Sequence, residues 1–297
     1  MSIVHVPVML KEVIEAMKIK KSGVYVDGTV GLGGHAEGIL RSIAGGCTLI
    51  GIDRDSEALE MAKKRLKSRD VHLVKDNFTN MVSIVKKLGY KEVDGILIDL
   101  GVSSLQLKAE GRGFSFLKEE PLDMRMDKGQ ELTAGRIVNE YTERELTDIL
   151  WRYGEERFCR RIARAIVAAR SESPIKTCRE LAQIIEKTVK RGRKFYFPGR
   201  IHPATRTFQA LRIEVNKELT ALSLAIEGGV SILKHEARFC VLSYHSLEDR
   251  IIKHSFRQMA KNGSVAIITK KPLIPSEDER NANPSSRSAK LRVVEKV

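Results

Sequence analysis

The glycine-rich stretch DGTVGLGGHAEGIL occupies residues 27–40 and follows a short apolar segment that contains Val24 and Val26. Within it, residues 31–36 (GLGGHA) match the dinucleotide fingerprint G-x-G-x-x-G/A letter by letter. Glycines between a strand and a helix let backbone N–H groups come close to a bound ligand. The stretch therefore predicts a nucleotide-like ligand at a strand–helix turn, without indicating which ligand it is.

Strands and helices alternate on both sides of this stretch. Apolar and amphipathic patterns predict strands at 24–26, 47–53, 71–78 and 93–101, with helices at 9–17, 36–42, 56–68 and 81–89. Ser56 is the expected N-cap of the third of these helices. Because apolar strands that alternate with helices form parallel sheets covered on both faces, residues 1–100 predict an α/β fold.

The pattern changes after residue 102, where residues 103–207 contain no convincing strand. Two capping boxes, at Thr142 and Thr177, open helices, and apolar spacing between residues 158 and 169 predicts another. A long helix at 208–225, a strand at 237–244, a helix capped by Ser246 and two closing strands follow. We therefore expect a discontinuous core, residues 1–102 and 208–297, with a helical insertion at 103–207.

The chain is strongly basic, and the excess charge is concentrated in the insertion. Its 297 residues include 52 Lys plus Arg against 38 Asp plus Glu, a net charge of +14. Residues 157–206 alone contain fourteen basic and three acidic residues. Basic side chains neutralise phosphates and aromatic rings stack on unpaired bases, so this segment predicts nucleic-acid binding. The expected contact residues are Arg191, Arg193, Lys194, Phe195, Tyr196, Arg200 and Arg206.

Cysteine usage and hydropathy indicate the compartment. The four cysteines are far apart and form no C-x-x-C pair, which is typical of a reducing environment and gives no sign of a metal site. No uninterrupted apolar run approaches the roughly 18 residues that a membrane helix needs. We therefore expect a cytoplasmic protein without a membrane segment and without a bound metal, and the oligomeric state stays open, with a homodimer as one candidate.

Polar residues follow the predicted strands, at the edge where open α/β sheets bind ligands. Asp53 ends the second strand twenty residues after Gly33, Phe78 follows the third, and Asp99 ends the fourth. An acidic residue after the second strand suits the ribose of either NAD or S-adenosylmethionine. Asp27 beside the glycines favours a cationic ligand over a pyrophosphate, and so favours S-adenosylmethionine. An NAD-dependent oxidoreductase and a non-catalytic RNA-binding assembly factor stay open as alternatives.

Other catalytic chemistries find little support in the sequence. The chain contains no G-x-S-x-G, H-E-x-x-H or P-loop motif. His245 lies between Ser243 and Ser246, but three adjacent polar residues are more typical of a pocket lining than of a catalytic triad.

Longer motifs support a family resemblance along nearly the whole chain. They are HVPVMLKEV, DGTVGLGGH, GIDRD, DLGVSS, PLDMRMD, YGEERFCRRIARAI, IHPATRTFQALRI, LSYHSLEDRIIK and RSAKLRV. On these motifs the chain resembles the MraW (RsmH) family of bacterial 16S rRNA cytosine-N4 methyltransferases. One departure is Glu119-Glu120, where the family pattern has Asp-Gly. DNA N4-methylation is disfavoured because the S/D-P-P-Y/F element is absent, the fourth strand ending instead in DLGVSS.

The resemblance implies a class I (Rossmann-like) methyltransferase sheet with an RNA-binding helical insertion. It implies methylation of the exocyclic N4 of a decoding-centre (P-site) cytidine in the small ribosomal subunit, with S-adenosylmethionine as the methyl donor. The implied cofactor residues are Gly33, Gly34, His35, Asp53, Phe78, Asp99 and Gln106.

For catalysis, strand-end position suggests Asp99, or carbonyls of residues 100–103, as the acceptor for the target amine. A role for Asp99 in orienting the loop or cofactor is the alternative. Ser103, Ser104, His245 and Ser246 are expected to flank the base.

Overall fold

The computed structural model describes residues 7–43, 46–190 and 202–297, without the side chains of Ser104, Lys108 and Lys190. The chain divides into two compact units, Met1–Ser103 with Leu219–Val297, and Ser104–Glu218. The second boundary therefore lies later than the expected residue 207. The reason is packing, because Phe208, Leu211 and Val215 belong to the apolar core of the second unit.

The described part of the first unit contains one seven-stranded sheet with the order β3-β2-β1-β4-β5-β7-β6. The last strand along the chain, β7, pairs antiparallel with both β5 and β6, whereas the neighbours from β3 to β5 pair in parallel. The two closing strands expected from the sequence are thus present and pair with each other. The strands are β1 (Val24–Asp27), β2 (Thr48–Asp53), β3 (Val71–Lys75), β4 (Val93–Asp99), β5 (Leu233–Ser243), β6 (Val265–Ile267) and β7 (Lys290–Lys296).

Helices cover both faces of this sheet. Successive residues of β4 show why, since Ile96 and Ile98 belong to one buried cluster and Leu97 to another. Strands buried on both faces are typical of parallel sheets with crossover helices. The helices of this part are α1 (Leu10–Met17), α2 (Gly34–Ser42), α3 (Ser56–Arg65) and α4 (Met81–Lys87), with a 3₁₀ turn at Phe78–Asn80 before α4.

The second unit is helical, as expected, and has its own apolar core. A single isolated bridge, between Pro121 and Thr177, is the β-pairing among its described residues. Its helices are α5 (Ser104–Lys108), α6 (Ala134–Glu140), α7 (Glu143–Gly154), α8 (Cys159–Glu172), α9 (Cys178–Lys190) and α10 (Thr205–Asn216).

The chain then continues through α11 (Glu218–Ser231), α12 (Ser246–Lys261), α13 (Glu277–Ala282) and a 3₁₀ turn at Pro284–Ser286. The long helix expected at 208–225 is wrong, because Lys217 adopts a left-handed conformation (φ 51°) between α10 and α11. Gly229 lies inside α11. A Cβ there would be 2.6 Å from Cε1 of Phe239, so glycine permits close packing of this helix on β5.

Helix caps agree with the sequence at one place and differ at three. Thr142 forms the complete capping box of α7. At Thr177 the hydroxyl accepts from the backbone N–H of Glu180, but the Glu180 carboxylate accepts from Lys176, so the box is incomplete. The expected caps Ser56 and Ser246 are each displaced by one residue.

The two displaced caps share one feature, which is a side-chain acceptor one residue earlier that takes a free N–H in the first turn of the helix. The Asp55 carboxylate accepts from the N–H of Glu57, so Asp55 caps α3 and Ser56 is its first helical residue. The His245 ring accepts from the N–H of Glu248 and the Glu248 carboxylate accepts from the N–H of His245, so His245 caps α12.

No helix in the described ranges combines the length and apolar character that crossing a membrane requires. Most of the residues expected to bind RNA, Arg191, Arg193, Lys194, Phe195, Tyr196 and Arg200, lie outside the described residues.

Candidate active site

Three carboxylates lie at the carboxyl ends of three adjacent strands. Asp27 ends β1, Asp53 ends β2 and Asp99 ends β4, and β1 lies between the other two in the sheet. Parallel strands bring their carboxyl ends to the same edge, which is where ligands bind in open α/β sheets. The acidic strand ends predicted from the sequence therefore lie together at one edge of the sheet in the first unit.

Hydrogen bonds tie the glycine loop to these carboxylates. Asp53 Oδ2 accepts from the N–H of Gly31 at 2.8 Å, and Asp27 Oδ1 accepts from the N–H of Thr29 at 3.2 Å. The Thr29 hydroxyl in turn accepts from the N–H of Asp99 at 2.7 Å. The loop and the three strand ends therefore form one hydrogen-bonded edge.

Backbone geometry explains two of the glycines. Gly31 and Gly33 have φ of 50° and 77°, a left-handed conformation that strongly favours glycine. Gly33 is the N-cap of α2, and Gly34 begins that helix. The helix N-terminus and its free N–H groups thus face the same edge as the carboxylates.

Phe78 lies where the sequence predicts an adenine contact. It opens the 3₁₀ turn after β3, and the Arg54 guanidinium is 6.0 Å from its ring centroid. A Cβ added to Gly28 would be 3.2 Å from Cβ of Phe78, so Phe78 packs directly against the loop.

Asp99 is held by two side chains. The hydroxyl of Tyr244, directly after β5, donates to Asp99 Oδ1 at 2.6 Å. On the other oxygen, Nδ1 of His35 lies 3.5 Å from Asp99 Oδ2. Burial raises the pKa of the Asp99 carboxyl, while His35 and the Tyr244 hydroxyl oppose the rise. Asp99 is therefore an oriented carboxylate with raised proton affinity.

The opposite side of the His35 ring fixes its tautomer. Nε2 lies 2.8 Å from the carbonyl oxygen of Val8, which can only accept, so Nε2 carries a hydrogen. Nδ1 is then the ring nitrogen that faces Asp99. His35 is buried, and its contact with Asp99 gives this predicted cofactor residue a definite place at the strand edge.

The carboxyl group of Asp27 has a strongly raised pKa. Burial raises its pKa to about 7, and the charges of Asp99 and Asp53 add to the rise. Burial likewise raises the pKa of Asp53, against the hydrogen bonds from Asp55 and Gly31. Within the described residues no cationic side chain forms an ion pair with Asp27. An anionic edge of this kind fits a ligand with a sulfonium and an ammonium group and disfavours a pyrophosphate.

The other predicted site residues have mixed placements. Ser103 is half-buried at the end of the first unit, and Ser246 is exposed at the start of α12. His245 is engaged as a helix cap, with Nε2 3.2 Å from Glu248 Oε1. Ser104 and the buried Gln106 lie on α5 in the second unit. The roles of these residues remain predictions.

Two contributors to the site are missed by the sequence reasoning. Tyr244 holds Asp99, and Thr29 links the loop to β4. Tyr244 follows an apolar strand, so its strand-end position is a usable signal. Only the pairing of β5 with β4 shows that this strand end adjoins Asp99.

A model of the MraW methylase family matches residues 2–297. The chain belongs to the MraW methylase family. The resemblance expected from the motifs is confirmed, and so is the class I, Rossmann-like α/β fold with its inserted helices.

Several relatives of this MraW-family chain carry the same name. Ribosomal RNA small subunit methyltransferase H of Clostridium botulinum (strain Kyoto / Type A2) is 48% identical, covering 99% of each chain. The protein of that name from Halothermothrix orenii is also 48% identical, covering 99% of this chain and 98% of its own. A solved rRNA methylase from Streptococcus thermophilus is more distant, at 10% identity and a TM-score of 0.46, covering 100% of this chain and 99% of that one.

The raised pKa of Asp27 predicts an unusual pH dependence of stability. Between its ordinary pKa of 3.8 and about 7, the native chain binds the Asp27 proton and the unfolded chain does not. Asp27 therefore makes the free energy of unfolding fall as pH rises through this range, and makes no further change above it. Relative to the wild type, Asp27→Asn should gain about 3 kcal/mol between pH 5 and pH 8, measured by denaturant unfolding.

Asp123, whose pKa is shifted in the opposite direction, provides the control for this measurement. Hydrogen bonds from Arg125 lower the pKa of Asp123, so Asp123→Asn should show a constant difference from the wild type over the same range. A constant difference for Asp27→Asn as well would contradict the raised pKa of Asp27.

Proposed function

We propose that this chain transfers a methyl group to the exocyclic N4 of a decoding-centre (P-site) cytidine in the 16S rRNA of the small ribosomal subunit. The methyl donor is S-adenosylmethionine, which supplies a methyl group already activated on a sulfonium. The observation that carries the proposal is the edge formed by the strand-end carboxylates of Asp27, Asp53 and Asp99, whose pKa values burial raises, on a chain of a methylase family. The names of the relatives support a small-subunit rRNA as the substrate.

In this proposal, each residue of the edge binds a different part of the cofactor. The carboxylate of Asp53 accepts hydrogen bonds from ribose hydroxyls, and Phe78 packs against the adenine. Gly34, the first residue of α2, presents its backbone N–H without a side chain in the way, while Gly33 donates its own N–H to the carbonyl oxygen of Val30 and forms the turn that lets the cofactor approach. Asp27, ionised by a nearby positive charge, stabilises the cationic end of the cofactor. Gln106 is a proposed further contact.

Asp99 acts on the target amine. The N4 lone pair of cytosine is delocalised into the ring, so the amine is a poor nucleophile. An oriented acceptor next to it stabilises the positive charge that develops on N4 and takes the proton that N4 loses. Tyr244 and His35 hold the carboxylate in place, and the raised pKa makes it a better proton acceptor.

The substrate side of the proposal rests on the basic insertion. A cytosine within structured RNA must leave its stack to reach a strand-end pocket. Basic residues of the second unit hold the RNA backbone while the base is out, and residues 191–206 are the predicted contacts. Ser103, Ser104, His245 and Ser246 flank the base in this proposal. The compartment is the cytoplasm, where small subunits are assembled.

The test is transfer of tritiated methyl groups from S-adenosylmethionine to isolated small subunits. We expect label in 16S rRNA and none in large subunits. Calorimetry with S-adenosylmethionine and with NAD provides the control for the cofactor, and binding of NAD alone would favour an oxidoreductase. RNA binding without any transfer of label would favour a non-catalytic assembly factor.

Tyr244→Phe tests how Asp99 is positioned. The Tyr244 hydroxyl donates to the ionised carboxylate and so opposes the rise in the pKa of Asp99. Its loss should raise that pKa further, move the rising limb of the pH–rate profile to higher pH and lower kcat about fivefold. Tyr90→Phe, at a half-buried tyrosine after α4, should leave the profile unchanged. An unmoved limb for Tyr244→Phe would show that the hydroxyl does not tune Asp99.

A further inference from the structure

Trp151 is the only tryptophan of the chain, and its side chain is 61% exposed. It lies on α7, whose inward residues include Leu146, Ile149 and Leu150. Trp151 is thus on the outward side of the helix and contributes little to the core. An exposed indole with no packing role is typical of a contact surface, because its burial by a partner is strongly favourable.

The chain that follows Trp151 is rich in arginine. Residues 151–164 include five arginines and two glutamates, and one of these, Glu156, is buried with Oε1 accepting from the N–H of Phe158. The core-facing residues of α8 are apolar, which leaves its arginines outside. The exposed arginines are Arg152, Arg157, Arg160, Arg161 and Arg164.

Most of this charge is available to a partner. In the described ranges, no carboxylate forms an ion pair with Arg152, Arg157 or Arg160. Arg164 lies 3.6 Å from a carboxylate oxygen of Glu143 at the surface, where such a pair contributes little. The surface therefore carries a net positive charge that its own side chains do not neutralise.

A further arginine joins this surface from a distant part of the sequence. Arg206 Nη1 donates to the carbonyl oxygen of Glu155 at 3.2 Å, and the N–H of Glu155 donates to the carbonyl oxygen of Trp151 at 3.2 Å. The Arg206 guanidinium thus lies about one helical turn from Trp151. Arg206 is one of the residues predicted to contact RNA, so at least one predicted contact lies beside the surface around Trp151.

We propose that an unpaired base of the rRNA substrate stacks on the Trp151 indole while the surrounding arginines contact the adjacent phosphates. The inference rests on the proposed function for the identity of the RNA. Charge complementarity selects a polyanion, and aromatic stacking selects a single-stranded segment over a duplex. A second copy of the chain is disfavoured as the partner because two such surfaces repel each other.

The single tryptophan provides its own readout. We expect a single-stranded RNA of about ten mixed nucleotides to quench the fluorescence of the full-length protein saturably at low salt. A duplex of the same length should quench it less. Absence of quenching, with binding confirmed by anisotropy of labelled RNA, would overturn the proposal. A change in fluorescence with protein concentration, in the absence of RNA, would overturn it in favour of self-association.

Variants extend the test to affinity. By anisotropy, Trp151→Ala should weaken RNA binding about tenfold, and Trp151→Phe should restore most of it because a phenyl ring also stacks. Arg157→Ala and Arg160→Ala should each reduce the salt dependence by about 0.7 in the log–log slope. Arg69→Ala is the matched control, since Arg69 is exposed just before β3, at the other edge of the sheet from the carboxylates. Equal affinities for Trp151→Ala and the wild type would contradict the stacking.

The proposed methyl transfer and the proposed RNA surface can be refuted independently. Quenching and weakened variants without methyl transfer to small subunits would retain the RNA surface and refute the proposed reaction. Methyl transfer with unaltered binding by Trp151→Ala would retain the reaction and refute the surface. Because Trp151 is exposed, the thermal midpoint of its variants should match that of the wild type.

Discussion

Asp99→Asn is expected to lower the rate of methyl transfer by about 10²- to 10³-fold while the chain stays folded. The substitution retains the shape of the side chain and an oxygen that can accept from the Tyr244 hydroxyl. It removes the negative charge and the capacity to take a proton from N4. Single-turnover transfer of tritiated methyl groups to small subunits, at saturating cofactor, measures this step directly.

The matched control is on the same strand. Asp94 lies near the start of β4, where its carboxylate accepts from the N–H of Val24 and from Nζ of Lys234. Asp94→Asn removes a charge from the opposite edge of the sheet and should leave the rate unchanged. If Asp99→Asn retained its rate at saturation but bound S-adenosylmethionine more weakly, Asp99 would be a cofactor-orienting residue. If both rate and affinity were retained, it would have neither role.

Asp53→Ala is expected to weaken binding of S-adenosylmethionine about 100-fold. The Asp53 carboxylate accepts from Gly31 and Asp55 at 2.8 and 2.9 Å, and in the proposal also from the ribose. Hydrogen bonds to a charged acceptor contribute about 1.5–3 kcal/mol each, so loss of two to the ribose is sufficient for this change. Calorimetry at constant pH measures the affinity.

A deoxyribose analogue of the cofactor separates direct contact from distortion of the loop. If Asp53 contacts the ribose, the analogue should bind the wild type and Asp53→Ala with similar affinity, because the coupled interaction is already lost. A 100-fold difference that persists with the analogue would instead attribute the effect to the Gly31 loop. Asp70→Ala, at an exposed carboxylate before β3, should bind both ligands as the wild type does.

The sheet could be predicted from the sequence because its strands are short apolar segments between amphipathic helices. The sequence pattern did not show every helix boundary. The apolar pattern continues through Lys217, so the break between α10 and α11 is invisible in it. Ser56 and Ser246 are good caps by residue type, but Asp55 and His245 stand one position earlier with acceptors of their own.

Part of the candidate site could be predicted from the sequence because of the sheet topology. Asp53 and Asp99 end strands, and parallel strand ends meet at one edge whatever the details of packing. The Tyr244–Asp99 contact joins the end of β4 to the residue that follows β5, two places that the whole second unit separates in sequence. The His35–Asp99 contact depends on the direction of a ring, which the spacing of residues does not specify. Both contacts required the structure.

The most direct test of the central claim is the identity of the modified nucleoside. After methyl transfer from S-adenosylmethionine, the 16S rRNA is digested, the labelled fragment is mapped by mass spectrometry and its nucleosides are separated. We predict one labelled nucleoside, N4-methylcytidine, at a decoding-centre position of 16S rRNA. A label on another base, on C5 of cytosine or on a ribose oxygen would contradict the account.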